Sequence, residues 1–165
     1  MTRVTPGKTL AVIAARGGSK GIPHKNLIDL CGKPLIAWTV MQAAAARGVD
    51  AVAVSSDSDQ ILAAAEAAGA VGVRRPEDIS GDLASSESAW LHALEQLDGK
   101  LGPFGRVVAL QATSPIRESS DIEQALATFE RALIVDAPPL AVVEHVASRD
   151  RPPGNFSDFR IEHSE

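Results

Sequence analysis

Tyrosine is absent from this 165-residue chain, aromatic residues make up 4% of it, and cysteine occurs once. So few rings make a base-stacking platform for single-stranded nucleic acid unexpected. A lone Cys31 excludes an intramolecular disulfide and fits a reducing compartment; its plain expectation is a small, partly buried core residue. No stretch approaches the ~20 apolar residues of a membrane span. Met1 to Ala15 carries Arg3 and Lys8 ahead of apolar residues, but the apolar run is short and leads into a basic loop, unlike an export signal. A cytoplasmic protein, bound to neither membrane nor nucleic acid, is the expectation. His24, His92, His145 and His163 lack zinc-site spacing, and no Gly-x-Ser-x-Gly elbow suggests acyl transfer. Acidic residues are also missing from one region: none precedes Asp29, whereas Arg3, Lys8, Arg16, Lys20 and Lys25 all do. The chain as a whole is acidic, with net charge −5, so its N-terminal end is positive against the trend. That pattern suits a small, multiply charged anion better than a nucleic-acid backbone.

The length suits one domain that buries roughly 70% of its unfolded surface without disulfides or structural metal. Its most informative stretch runs from Ala15 to Asn26, Ala-Arg-Gly-Gly-Ser-Lys-Gly-Ile-Pro-His-Lys-Asn, directly after the apolar Leu10–Ala14. A buried strand entering a glycine-rich basic loop has the makings of a phosphate site: glycines let backbone N–H groups approach an anion, and Arg16 and Lys20 add charge. The loop is neither a P-loop nor a Gly-x-Gly-x-x-Gly fingerprint.

Strands and helices alternate along the chain. Leu10–Ala14 reads as a strand, Pro34 to about Ala46 as a helix followed by Gly48, and Ala51–Ser55 as a second strand. Asp57 or Ser58 caps the next helix, which Gly69 stops. Val71–Val73 is a short strand. Ala84–Leu97 is a helix with Trp90, Leu91, Leu94 and Leu97 inward. Arg106–Leu110 is a central strand, and Ser120-x-x-Glu123 is a capping box for a helix bearing Ile122, Ala125, Leu126 and Phe129. Leu140–Val143 is a candidate last strand. This alternation implies βαβ units, a mostly parallel sheet covered on both faces, and a ligand site past the carboxyl ends of the strands. Three polar segments, Arg16–Asn26, Ser55–Asp59 and Gln111–Arg117, fall at that edge. The chain divides into one α/β domain over 1–135 and a polar, proline-punctuated tail over 136–165, expected to be mobile.

Gln111, Thr113 and Ser114 offer neutral donors and acceptors on a turn stiffened by Pro115, suited either to reading sugar hydroxyls or simply to entering a helix. Arg74 and Arg75 read as a solvated surface pair, or Arg75 as a contact to phosphate or base. Ser85 and Ser86 read first as helix caps. Asp57 and Asp59 fit a helix N-terminus, with a Mg²⁺ ligand as the alternative.

Together these motifs resemble the acylneuraminate cytidylyltransferases, the CMP-sialic acid synthetases, within the wider nucleotidyltransferase superfamily. The loop Ala15–Asn26 is similar to the family signature. Gly32-Lys33-Pro34-Leu35-Ile36, Val54-Ser55-Ser56-Asp57, Arg75-Pro76-Glu77, Asp82-x-Ala84-Ser85-Ser86 and Gln111-x-Thr113-Ser114-Pro115 follow in the family's order. The resemblance covers about Thr9 to Arg131, with Ala14 and Ala112 standing where the family usually has proline. It implies a Rossmann-like, three-layer nucleotidyltransferase fold and transfer of CMP from CTP to the anomeric hydroxyl of an acidic acyl sugar, with release of pyrophosphate. Ala15, Arg16, Gly17, Gly18, Ser19 and Lys20 would wrap the triphosphate, Arg16 and Lys20 supplying catalytic charge. Asn26, Arg75, Ala84 and Ser86 would surround the cytidine, and Gln111, Thr113 and Ser114 would face the sugar. Mg²⁺ would bridge the phosphates. The family is dimeric and longer, its later part supplying metal-binding aspartates and a dimerisation element. A short member is therefore expected to bind nucleotide, turn over poorly, and form a monomer or weak dimer.

Overall fold

The apolar run after Lys8 forms β1 (Lys8–Ala14) in the computed structural model, which describes residues 7–18, 21–81, 84–132 and 141–144. A 3-10 turn at Lys25–Leu27 leads into a small antiparallel pair, β2 (Asp29–Leu30) and β3 (Lys33–Pro34). There follow α1 (Leu35–Ala45), β4 (Ala51–Ser56), α2 (Asp59–Ala67) and β5 (Val71–Arg74). Beyond them come α3 (Ser86–Leu101), β6 (Phe104–Leu110), α4 (Ser119–Ala132) and β7 (Ala141–Glu144).

Five strands pair in parallel in the order β5-β4-β1-β6-β7. From β1 the chain winds outward to β4 and β5, then crosses back to β6 and β7. The order therefore reverses between β1 and β6, where the outgoing connections diverge and leave a crevice at the carboxyl edge. Alternation along each strand feeds two cores. Ala11 and Ile13 of β1 join Val52, Val54, Val108 and Leu110 beneath α1, α2 and α4. Leu10 and Val12 join Ala53, Val107 and Ala109 against Trp90, Ala93 and Leu97 of α3. The result is the expected three-layer, Rossmann-like α/β fold with a parallel main sheet. Among the described residues no helix is long and apolar enough to cross a membrane.

The departures from expectation have local causes. Pro34 precedes α1 instead of lying within it, because it pairs with Asp29 across the β2–β3 hairpin. Cys31 is exposed, not partly buried: it sits at φ +53 in the tight turn of that hairpin. α3 starts at Ser86, where the Ser85 hydroxyl accepts the Ser88 N–H at 3.2 Å. Leu91 points outward, 46% exposed, because the buried stripe of α3 runs through Ala89, Trp90, Ala93 and Leu97. At the start of α4 the Asp121 carboxylate accepts the Glu118 N–H at 2.8 Å. Glu123 does not close a capping box with Ser120; its carboxylate accepts from the Arg47 backbone N–H and guanidinium, which hold it below the usual carboxylate range. Ser58 supplies the α2 cap, and Gly69 follows that helix at φ +102, a backbone that L side chains rarely adopt. The candidate last strand is β7, one residue on from its expected start; the rest of 136–165 lies outside the described residues.

Ile36 of α1 is fully buried in the larger core. Ile36→Ala is expected to cost about 2–5 kcal/mol through lost transfer energy and a residual cavity. Urea unfolding measures it; a loss below ~1 kcal/mol would mean that α1 packs loosely on the sheet.

Candidate functional site

The basic loop is fastened to the sheet edge before it does anything else. Ala15 N–H donates to the Ser55 carbonyl at 3.0 Å, carrying the β1–β4 pairing one residue past β1. Gly17 N–H then donates to Asp57 Oδ1 at 2.7 Å, and the Asn26 amide donates to the Arg16 carbonyl at 3.2 Å. A Cβ on Gly17 would approach the Ser58 Cβ to 3.1 Å, so this glycine lets the loop settle on the start of α2. A Cβ on Gly18 would meet nothing within 4 Å; that position faces open space.

Strand alternation separates the adjacent arginines of β5 and its exit. Arg74 points out and pairs with Asp59 on the surface. Arg75 turns inward and is 8% exposed; its Nε donates to Ser55 Oγ at 3.1 Å and its Nη2 to the Ser55 carbonyl at 2.7 Å. Burial holds the Arg75 guanidinium below its ordinary pKa; Asp57 opposes that shift and the Arg16 charge adds to it.

These segments border a cavity of about 420 Å³ at the carboxyl ends of β1 and β6, within the range of small-molecule sites. Ala15, Arg16, Gly18, Asn26, Arg75, Ala84, Ser86, Gln111 and Thr113, all singled out from the sequence, line it together. Gly17 lies behind the lining, held by Asp57. Ser114 is not in the lining, and its carbonyl accepts the Arg117 N–H at 3.3 Å. Ser19 and Lys20 lie outside the described residues. Lys25 and Trp90 line the cavity without having been assigned to it. Lys25 was legible as part of the basic stretch; Trp90 reads as core from helical spacing and is both, 9% exposed at the cavity wall.

The described lining carries three cations, Arg16, Lys25 and Arg75, and neither a carboxylate nor a histidine. Like charges gathered in a partly desolvated cleft repel one another, and a bound anion relieves that cost. Among the described residues no three His, Cys, Asp or Glu side chains come together to hold a metal ion. Asp57 bonds the loop and Asp59 the surface Arg74. The described donors form no metal cage.

An open parallel sheet with a cationic crevice at its reversal point defines a Rossmann-like α/β architecture with a site for an anionic ligand. A family model described as cytidylyltransferase matches residues 10–143, and the chain belongs to that family. It is 39% identical over 123 residues to the pseudaminic acid cytidylyltransferase of Campylobacter jejuni subsp. jejuni serotype O:23/36 (strain 81-176), covering 74% of this chain and 53% of that one. It is 38% identical over 123 residues to the N-acylneuraminate cytidylyltransferase of Escherichia coli O18:K1:H7 (strain RS218 / NMEC), covering 74% of this chain and 28% of that one. The solved structure of CMP:2-keto-3-deoxy-manno-octonic acid synthetase complexed with CTP superposes with a TM-score of 0.66 at 25% identity, covering 78% of this chain and 49% of that one. The chain spans about half the length or less of these relatives.

Ser55 is fully buried and accepts three hydrogen bonds from two elements. Ser55→Ala leaves Arg75 Nε without its acceptor and is expected to cost about 1–3 kcal/mol in urea unfolding. A change below ~0.5 kcal/mol would show that the arginine finds another partner.

Proposed function

We propose that this chain carries the CTP-binding part of an enzyme that transfers CMP from CTP to the anomeric hydroxyl of an acidic acyl sugar, releasing pyrophosphate. The observation that carries the proposal is the cavity at the β1–β6 reversal, where Arg16, Lys25 and Arg75 meet on one side and Gln111 and Thr113 on the other. The cationic side, with the exposed Gly18 and with Ser19 and Lys20 of the same loop, takes the triphosphate. Asn26, Arg75, Ala84 and Ser86 take the cytidine, Arg75 from the edge of the cationic side, and the neutral polar pair, with Ser114 on the same loop, takes the sugar. Arg16 and Lys20 are the proposed catalytic cations.

In the reaction a bond forms between the anomeric oxygen and the α-phosphorus as the bond to the bridging oxygen of pyrophosphate breaks; pyrophosphate leaves with that electron pair and the hydroxyl proton passes to water. The described lining holds no carboxylate or histidine to act as a base. The residues proposed here therefore act by position and charge: they align the two oxygens and neutralise the phosphates. Mg²⁺ enters the proposal as the triphosphate's counter-ion, with no described residue assigned to it.

The relatives' names share an acidic sugar and differ in which one: pseudaminic acid, N-acylneuraminate and 2-keto-3-deoxy-manno-octonic acid. The acylneuraminate type is the first reading, from the ordered motifs; the octonic acid type is the second, favoured by the CTP-complexed structure.

CTP at 100 times its dissociation constant is expected to stabilise the fold by about 2.7 kcal/mol, more than ATP, GTP or UTP at the same concentration. Unfolding followed by thermal shift reads this; no shift at millimolar CTP would remove the nucleotide site. In calorimetry, Arg16→Ala is expected to weaken CTP by roughly 10- to 150-fold while leaving cytidine nearly unchanged, from the loss of about 1.5–3 kcal/mol in hydrogen bonds to phosphate. An equal loss for both ligands would place Arg16 at the nucleoside instead.

A further inference from the structure

Gln111 and Thr113 line the cavity from beyond the end of β6. β6 ends at Leu110 and α4 begins at Ser119, so both side chains stand on a connection that something must hold in place. Among the side chains that do so, two reach its middle and its start. From α1, Gln42 Nε2 donates to the Pro115 carbonyl at 2.6 Å and ties the middle of the connection to the helix layer. From the far end, Arg117 reaches back: its Nη2 donates to the Gln111 carbonyl at 3.0 Å while its backbone N–H donates to the Ser114 carbonyl at 3.3 Å. One residue thus ties the start and the middle of the loop to its end.

Arg117 is 3% exposed, whereas its neighbour Ile116 is 70% exposed. A loop that turns its isoleucine to solvent and its arginine inward runs against ordinary hydrophobic sorting. Burial of a guanidinium is costly unless its donors are used, and burial does hold Arg117 below its ordinary pKa, with the Asp121 charge opposing the shift. That cost is intelligible if the guanidinium's role is the geometry of the loop. Gln111, whose carbonyl Arg117 holds, lines the cavity with Thr113, and Thr113 Oγ1 lies 3.5 Å from Gln111 Oε1. Arg117 itself is not in the lining.

We propose that Arg117 is a positioning residue: through the Gln111 carbonyl and the Ser114 turn, it fixes the Gln111–Thr113 pair at the cavity wall and thereby sets affinity on the sugar side without altering the nucleotide side. The identity of the ligand rests on the proposed function; the positioning itself does not. Arg117→Lys keeps the charge but loses the planar fork that reaches Gln111, and Arg117→Met removes the charge.

The test has two arms. In hydrogen exchange of the ligand-free protein, Arg117→Lys is expected to speed exchange in the 111–116 segment by about tenfold, with peptides from β1 and α1 unchanged. In calorimetry with CTP present, N-acetylneuraminic acid is expected to bind about ten- to a hundredfold more weakly to the variant, while CTP itself binds within about twofold of the parent. Arg117→Met should do the same in both arms; if it fails to fold, the lysine variant alone decides. Unchanged exchange in 111–116, faster exchange throughout the sheet, or equal losses for CTP and sugar would each overturn the proposal. Faster exchange confined to 111–116 in a parent chain that binds CTP but none of the acidic sugars would uphold the positioning role and overturn the proposed substrate instead.

Discussion

Ser55, the penultimate residue of β4, is the point on which the cavity depends. Its carbonyl accepts from Ala15 N–H and from Arg75 Nη2, and its hydroxyl accepts from Arg75 Nε. One buried residue therefore joins the exits of β1, β4 and β5. The backbone bond directs the basic loop off the sheet edge, and the two guanidinium bonds turn Arg75 toward that loop instead of toward solvent. Two residues later Asp57 fixes Gly17, so β4 and its exit set both the loop's path and the arginine that faces it.

The constraint has an electrostatic consequence. Arg16 and Arg75 come close enough for the charge of one to disfavour the charge of the other. Asp57 offsets part of this from behind the loop, where it is occupied with the Gly17 N–H. The described lining of the cavity contributes no anion. A site preorganised in this way gathers like charge and gains from a ligand that brings several negative charges at once. Neutral polar groups gather on the opposite side, on the connection after β6. The division between a charged side and a neutral side follows from topology: each comes from a different flank of the point where the strand order reverses.

Much of this was legible in the sequence. The apolar runs of β1, β4 and β6 and the helices between them identify a parallel sheet, and the polar segments after each strand mark its carboxyl edge without any coordinates. The loop from Ala15 to Asn26 shows its chemistry in its composition. Less legible were features that depend on tertiary partners. Two neighbouring arginines look like a solvated pair, and only the end of β5 against Ser55 sends one out and the other in. Asp57 looks like a helix-start carboxylate or a metal ligand; the close approach of Gly17 makes it a latch for the loop. Glu123 looks like half of a capping box, but Arg47, in the turn after α1, takes it. Trp90 has core spacing, and nothing local reveals that it also faces a cavity. In each case the residue type was a fair guide to its chemistry, and long-range pairing decided which use was made of it.

The proposed occupant of the cationic side of this cavity is a nucleoside triphosphate. A crystal structure of the chain grown with CTP tests this. Phosphate oxygens are expected within hydrogen-bond reach of Arg16 and of the backbone at Gly18, with the cytidine toward Asn26, Ala84 and Ser86. A nucleotide bound elsewhere, or one lying in the cavity with its phosphates against Gln111 and Thr113, would contradict it.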